Sequence, residues 1–395
     1  MRKFIYIIFA AALFATSCEQ EQPIVNNGQW PIHYGYMQFS TEVSSRAQLV
    51  TDMKDKSFGV LGYKYSATTN WATAKPVTAP MSDFYNLKVE SVNEDGSYKY
   101  NYDAYPLDND KSLKEWEEGN YSFFAYHPYN GNGMTLSNST TTNTPTLTYT
   151  YGWLNGSGKD WFKDSYSTVN TKGEEVKLND VVRLYHKDVP VYDLMTAEAI
   201  DVNGTGSGTV GLNFKHRMFA LEVLANNYNE NTEGTYDARE YIRGLVLTLK
   251  GLKHSSMIIP MSMQGGEEAP SYDGIEPGTR NFLISDPEEI VMVPAFNETY
   301  EGRGEGVPTS ISKLGSNNGG YLMLIPQTTG LEGTLYWKKL SNFPGTVAAD
   351  FTSNIDEFKA GRLYQLYINF VGSGITIALI EAGAWDIHDV EHKFE

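Results

Sequence analysis

The chain has 395 residues, with 31 basic against 48 acidic side chains and a formal charge of −17, which argues against a nucleic-acid binder because that class needs a basic face. One cysteine excludes an internal disulfide or a zinc–thiolate cluster, while 41% hydrophobic residues suffice for a core and argue against wholesale disorder. The length exceeds one ordinary domain, so two are expected.

Met1-Arg2-Lys3 is a basic start, Phe4 to Ala15 is a nearly unbroken apolar run, and Thr16-Ser17-Cys18 follows. A charged start, a short apolar stretch and a small-residue exit make a signal peptide over residues 1–17, too short to span a bilayer comfortably. The lone cysteine falls where cleavage would occur, between Ser17 and Cys18. This resembles a bacterial lipoprotein signal, with palmitate-type acyl chains on Cys18 and anchorage in the outer membrane. Ala15 stands three before the cysteine, where Leu is commoner. Each buried CH₂ contributes about 0.8 kcal/mol, so several chains on one residue hold stably. Residues 18–30 open with Glu19-Gln20-Glu21-Gln22 and stay polar to Gln29, as a flexible tether would. Their acidity resembles the short signals that send such lipoproteins to the cell surface.

From residue 31 the pattern is that of strands. Met37, Phe39 and Val43 share one face of a first strand, opposite Gln38, Ser40 and Glu42. Phe58 to Tyr63 is a second apolar segment. Glu94-Asp95-Gly96 is a hairpin signal before the alternating Tyr98, Tyr100 and Tyr102. Lys111 to Glu118 has the spacing for two turns of helix. Tyr121 to Tyr126 and Leu147 to Tyr151 read as short strands. Asp201 to Gly208 is linker-like, which sets the domain boundaries at 31–203 and 204–395. Val210, Leu212, Phe214 and Met218 share a face; the phase then slips to Phe219, Leu221 and Val223, which predicts a bulge in a continuous strand. Leu245, Leu247 and Leu249 alternate, as do Tyr364, Leu366, Ile368 and Phe370, then Ile375, Ile377 and Leu379. Many short strands at this spacing make an all-β protein of Ig-like sandwiches with little helix.

Signatures of catalysis are sparse. There is no nucleophile elbow and no P-loop. The glycine-rich Gly204 to Gly208 precedes a strand, so it offers no helix N-terminus to a phosphate. His388-Asp389-Val390-Glu391-His392 matches an inverted zincin signature but lies three residues from the C-terminus, with no helix to present it and no third ligand. His216 falls on an apolar face with no acidic residue close in sequence, which reads as a core imidazole bonded to a carbonyl. Trp71, Trp116, Trp153, Trp161 and the 27 tyrosines are numerous enough for a sugar-binding platform, a core or a subunit interface. No catalytic residue, metal or cofactor is assigned.

Phe58 to Tyr63 (FGVLGY), Tyr121 to Tyr129 (YSFFAYHPY), Asp193-Leu194-Met195, Leu212 to His216 (LNFKH), Leu324 to Gln327 (LIPQ) and a late Trp385 occur in this order. Together they resemble the fimbrillin-like family of surface lipoproteins from Bacteroides and its relatives. The stretch Tyr98 to Asn109 departs from the pattern, having tyrosines where a Trp-rich segment is expected. The resemblance implies two tandem transthyretin-like sandwiches in a subunit of type V pilus-like surface fimbriae, as stalk, tip, anchor or minor subunit. It also implies that an arginine-specific surface protease removes the first strand and that another subunit, identical or related, fills the vacated groove. Arg46-Ala47, just after Met37, Phe39 and Val43, suits that cut; Ile375, Ile377 and Leu379 suit a donor strand or the last strand of their own domain. The expected partners are other subunits, the outer membrane and a host or bacterial adhesion ligand. The alternative is a surface glycan-binding lipoprotein.

Overall fold

The structure is a computed structural model. It describes residues 37–43, 53–74, 80–94, 97–103, 113–131, 133–138, 145–150, 164–184, 193–206, 208–228, 240–253, 256–262, 278–288, 290–293, 309–310, 321–340, 345–371 and 374–384. Ser17, Cys18, Arg46, Ala47, Trp153, Trp161, Trp385 and the His388 to His392 motif lie outside the described residues.

In chain order the strands begin with β1 (Gln38–Val43), β2 (Ser57–Tyr65), β3 (Leu87–Glu94), β4 (Ser97–Asn101), β5 (Asn120–His127), β6 (Met134–Asn138) and β7 (Pro145–Thr150). Next come β8 (Asp164–Val169), β9 (Glu175–Arg183), β10 (Met195–Asn203), β11 (Thr209–His216), β12 (Phe219–Tyr228), β13 (Glu240–Leu252) and β14 (Ser256–Pro260). The remainder are β15 (Gly278–Leu283), β16 (Val291–Val293), β17 (Thr309–Ser310), β18 (Tyr321–Leu324), β19 (Glu332–Lys339), β20 (Gly345–Thr352), β21 (Arg362–Val371) and β22 (Gly374–Ala384). Helix among the described residues is confined to α1 (Trp71–Ala74) and a 3₁₀ turn at Ser82–Phe84, and no helix there is long and apolar enough to cross a membrane. The protein is all-β.

The strands assemble into four sheets among the described residues. The first runs β1-β11-β10-β5-β2-β3-β4, the second β17-β12-β21-β22 with β18 also on β12, and the third β20-β19-β13-β15-β9-β8 with β16 also on β13. The fourth is β14-β7-β6. Hydrophobic period explains each strand's place. β11 alternates strictly, with Val210, Leu212, Phe214 and His216 inward, because only one of its faces meets a core. β2 and β5 are buried on both faces and therefore read as continuous apolar runs. Phe58, Val60, Phe123 and Ala125 point into an inner cluster with Met37, Phe39, Phe84, Trp116, Met195 and Leu212. Their neighbours Leu61, Tyr63, Phe124 and Tyr126 point the other way, into a large cluster shared with β12, β13, β19 and β21.

The two glycines of Phe58-Gly59-Val60-Leu61-Gly62-Tyr63 have a packing reason. A Cβ on Gly59 would lie 2.2 Å from the Tyr126 ring, and one on Gly62 would lie 2.6 Å from the Met81 methyl. Gly59 faces Tyr126 in register and Gly62 faces Phe123, so bulk in β5 is matched by its absence in β2. The hairpin expected around Glu94 forms, with Glu94 opposite Ser97.

Three expectations are corrected. The described part of the proposed helix, Leu113 to Glu118, is extended. Eight residues are too few to repay helix nucleation, whereas the extended form buries Trp116 against Tyr121 and Phe123. The linker expected over Asp201 to Gly208 is a turn between β10 and β11, adjacent strands of one sheet. It is tied down by a hydrogen bond from Gly204 N to Gly119 O (2.9 Å) and by Asp201 Oδ1, which accepts from Trp71 N at 2.7 Å and from the Tyr65 hydroxyl. The phase slip at Met218 is not a bulge but the point where the chain leaves the first sheet in β11 and enters the second in β12. Sheet pairing also crosses residues 203 and 204: β11 pairs with β1, β14 with β7, and β15 with β9.

Candidate functional site

β1 occupies an unusual position. It lies at the edge of the first sheet and pairs in parallel with β11 alone, from Gln38 opposite Thr209 to Val43 opposite Phe214. A parallel ladder is slightly weaker per residue than an antiparallel one. The opposite edge of the same sheet is β4, and the sheet curls until the two edges meet through side chains: Thr41 Oγ1 donates to the Tyr100 hydroxyl at 2.5 Å. The first strand therefore closes a nearly complete barrel without being locked by ladders on both sides.

The side chains of β1 contribute the larger contacts. Phe39 is 5% exposed and its ring stands edge-on in an aromatic cage. The ring centroids of Phe123 and Tyr102 lie 5.6 Å away, Phe84 6.2 Å and Phe58 6.4 Å. Edge-to-face geometry of this kind adds about 0.5–1.5 kcal/mol per pair beyond area burial. Met37 is fully buried beside it, while Gln38 and Ser40 are exposed. The backbone of Met37 is held at both polar groups: its N–H donates to Lys114 O at 2.8 Å, and its carbonyl accepts from the Tyr102 hydroxyl at 2.7 Å. Lys114 is fixed in turn by an ion pair from its Nζ to Asp83 Oδ2 at 2.8 Å. Asp83 sits in the 3₁₀ turn that also supplies Phe84.

A buried polar group lies at one end of the same sheet. His216 Nδ1 is 2.7 Å from Asp193 Oδ1, and both residues are buried. Sequence proximity gave no sign of this pair, because 23 residues separate its members; pairing of β10 with β11 sets Met195 opposite His216 and brings Asp193 beside it. His127 pairs with the other side of Met195 and donates from Nδ1 to Ser57 O at 2.8 Å. Burial holds the His127 imidazole below its ordinary value of 6.5, more strongly than the Ser57 carbonyl and Asp193 raise it, while Lys56 and His216 add to the lowering. The unfolded chain therefore takes up this proton more readily than the folded one. The contribution of His127 to stability is complete above about pH 6.5 and is lost as pH falls through the lower folded value. The melting temperature is expected to drop between pH 7 and 5, and His127→Asn is expected to flatten that part of the profile. An unchanged slope in the variant would remove His127 as the cause.

Other residues singled out from the sequence have structural work. Gln327 is 2% exposed; its amide donates to Thr329 O at 2.9 Å and Gly251 O at 3.2 Å, and its Oε1 accepts from Lys253 N at 3.0 Å. Tyr126 donates to Asn86 Oδ1 at 2.6 Å, and burial pushes its phenol up to about 12, so it stays neutral. Trp71 and Trp116 are 1% and 2% exposed, so neither presents a face to a sugar. Ile377 and Leu379 belong to β22, which pairs antiparallel with β21 from Arg362 opposite Ala384 to Val371 opposite Gly374. The strand thus ends its own sheet here, with Leu379 6% exposed.

The profile of the fimbrillin-like family matches residues 45–385. The chain belongs to the fimbrillin-like family. No curated protein matches it in sequence. Among solved structures, this fimbrillin-like chain is similar to a fimbrial protein from Bacteroides vulgatus ATCC 8482, at 15% identity and a TM-score of 0.54 over 88% of this chain and 99% of that one. A proposed cell adhesion protein from Bacteroides ovatus ATCC 8483 is 17% identical with a TM-score of 0.46, over 90% of this chain and 99% of that one. The first of these likenesses bears on the fold: an all-β arrangement of the same kind runs through most of both chains.

Proposed function

We propose that this fimbrillin-like protein is a non-enzymatic structural subunit of surface fimbriae, assembled by exchange of its first strand. The observation that carries the reading is the seat of β1. An edge strand with a single parallel ladder plugs an aromatic cage with Phe39, and the segment after it carries Arg46-Ala47. Hydrolysis of that peptide bond would leave β1 held only by non-covalent contacts. Its departure would expose unpaired N–H and C=O groups of β11 and the ring edges of Phe58, Phe84, Tyr102 and Phe123, which one incoming strand can satisfy together.

In this proposal residues 1–17 direct export, Cys18 carries the lipid that holds the precursor in the outer membrane, and cleavage at Arg46-Ala47 frees the rest for the fibre. The chain works as two bodies, one around the inner cluster of the first sheet and one around the second and third sheets. Adhesion is the outcome. A donor role for β22 requires it to leave its ladder with β21 and to expose Leu379, so the stalk position costs more than a tip, anchor or minor position. The test is the state of protein extracted from the cell surface. SDS-resistant multimers whose chains begin at Ala47 support the proposal; monomers that all begin at lipidated Cys18 refute it.

A further inference from the structure

We propose that the seat of β1 selects the direction of the strand it holds, through the Lys114 carbonyl and the Tyr102 hydroxyl. This rests on the strand-exchange reading above and names the partner that reading needs: an extended segment of another subunit that runs parallel to β11 and carries an apolar residue, an aromatic and a hydroxyl at alternate positions.

The direction follows from the chemistry of the two groups that hold Met37. In an extended strand the N–H and C=O of one residue point to the same side. At Met37 both point away from β11, where the N–H meets Lys114 O at 2.8 Å and the C=O meets the Tyr102 hydroxyl at 2.7 Å. Reversing the strand exchanges the places of N–H and C=O along the groove. The Tyr102 hydroxyl tolerates the exchange, because it can accept as well as donate. The Lys114 carbonyl can only accept, and it would face another carbonyl.

Lys114 cannot easily turn aside. Its ammonium is bound to Asp83 at 2.8 Å, and Trp116, two residues on, is 2% exposed between Tyr121 and Phe123. The ladder to β11 offers no such selection. Strands pair in either direction, and the antiparallel one is slightly favoured. The clamp at Met37 is therefore what sets the polarity of the occupant.

The side-chain preference comes from the same seat. Positions 37, 39 and 41 face inward: Met37 is fully buried, Phe39 fills the aromatic cage, and Thr41 Oγ1 donates to the Tyr100 hydroxyl at 2.5 Å. A strand with a charge at the second of these positions would bury it among rings without a partner.

The experiment uses the full secreted chain with a specific protease site inserted in residues 44–52. After cutting, the protein is incubated with fluorescent nine-residue peptides. One has the sequence of residues 36–44, one has those residues in reverse order, and one is the forward peptide with Phe39→Ala. The reversed sequence, laid antiparallel to β11, presents its side chains in the native order, so it isolates backbone direction. Anisotropy is expected to show the forward peptide bound and the reversed one at least ~10-fold weaker, the scale of one buried carbonyl left unsatisfied. Tyr102→Phe keeps the ring and removes the hydroxyl; it is expected to weaken the forward peptide by about 3- to 10-fold and leave the reversed peptide unchanged. A thermal melt of uncut Tyr102→Phe checks that it folds. Equal affinity of forward and reversed peptides overturns the selection of direction, and equal weakening of both by Tyr102→Phe overturns the role of Tyr102. Failure of every peptide to enter, the forward one included, overturns strand exchange itself.

Discussion

Phe39→Ala is expected to destabilise the uncut chain by about 3–5 kcal/mol, the usual cost of emptying an aromatic site in a packed core. The cage explains why the cost belongs at the upper end of single substitutions. Four rings from β2, β5, the 3₁₀ turn and the segment after β4 converge on Phe39, and none of them shares an element that could collapse into the void alone. Gln38→Ala, one residue away on the exposed face, is expected to change stability by less than about 0.5 kcal/mol. Urea unfolding of the two variants beside the parent, followed by the fluorescence of Trp116 and its companions, measures the difference. A small effect of Phe39→Ala would mean that β1 is a loosely attached arm and not the plug of the first sheet. Under the proposed assembly route the same substitution has a second consequence. A weakened plug leaves sooner after cleavage, so strand exchange into Phe39→Ala protein is expected to be faster than into the parent.

The second large effect is at the cut. Arg46→Ala and Arg46→Lys, expressed in the bacterium that makes the protein, are both expected to abolish the SDS-resistant ladder and to leave chains that begin at lipidated Cys18. Arg46→Lys retains the charge but not the side chain an arginine-specific protease reads, so it separates loss of cleavage from loss of a surface charge. Mass spectrometry of N-terminal peptides from surface extracts supplies the readout. A normal ladder from either variant would show that assembly does not depend on cleavage after residue 46. A ladder lost in Arg46→Ala but kept in Arg46→Lys would instead assign the effect to charge.

Much of the first sheet was legible because its strands face water or a core on known sides. Met37 and Phe39 alternate with exposed Gln38 and Ser40, and Val210, Leu212 and Phe214 alternate with exposed neighbours; these periods survive into the structure unchanged. The paired glycines Gly59 and Gly62 were visible as part of a motif, but their meaning was not. Only the register that sets Gly59 against Tyr126 shows that they make room for aromatic rings. His216 was placed correctly on an apolar face and given the wrong partner. Its ion-pair partner Asp193 is distant in sequence, and no local pattern announces a contact created by pairing of β10 with β11.

The sequence by itself determined that this protein is all-β, that its first strand has one apolar face, and that its charge and lone cysteine exclude whole classes of function. These are local properties, set by side-chain period and composition, and they do not depend on which strand neighbours which. The tertiary structure decided the rest: that β1 ends a sheet in a parallel ladder, that Phe39 enters a cage of four rings, that Lys111 to Glu118 contributes an extended clamp and not a helix, and that the slip at Met218 is a change of sheet. Each of these depends on residues far apart in the chain. An isolated segment such as Leu113 to Glu118 has nearly equal choices, and the burial of Trp116 against Tyr121 and Phe123 tips the balance only once the sheet behind it exists.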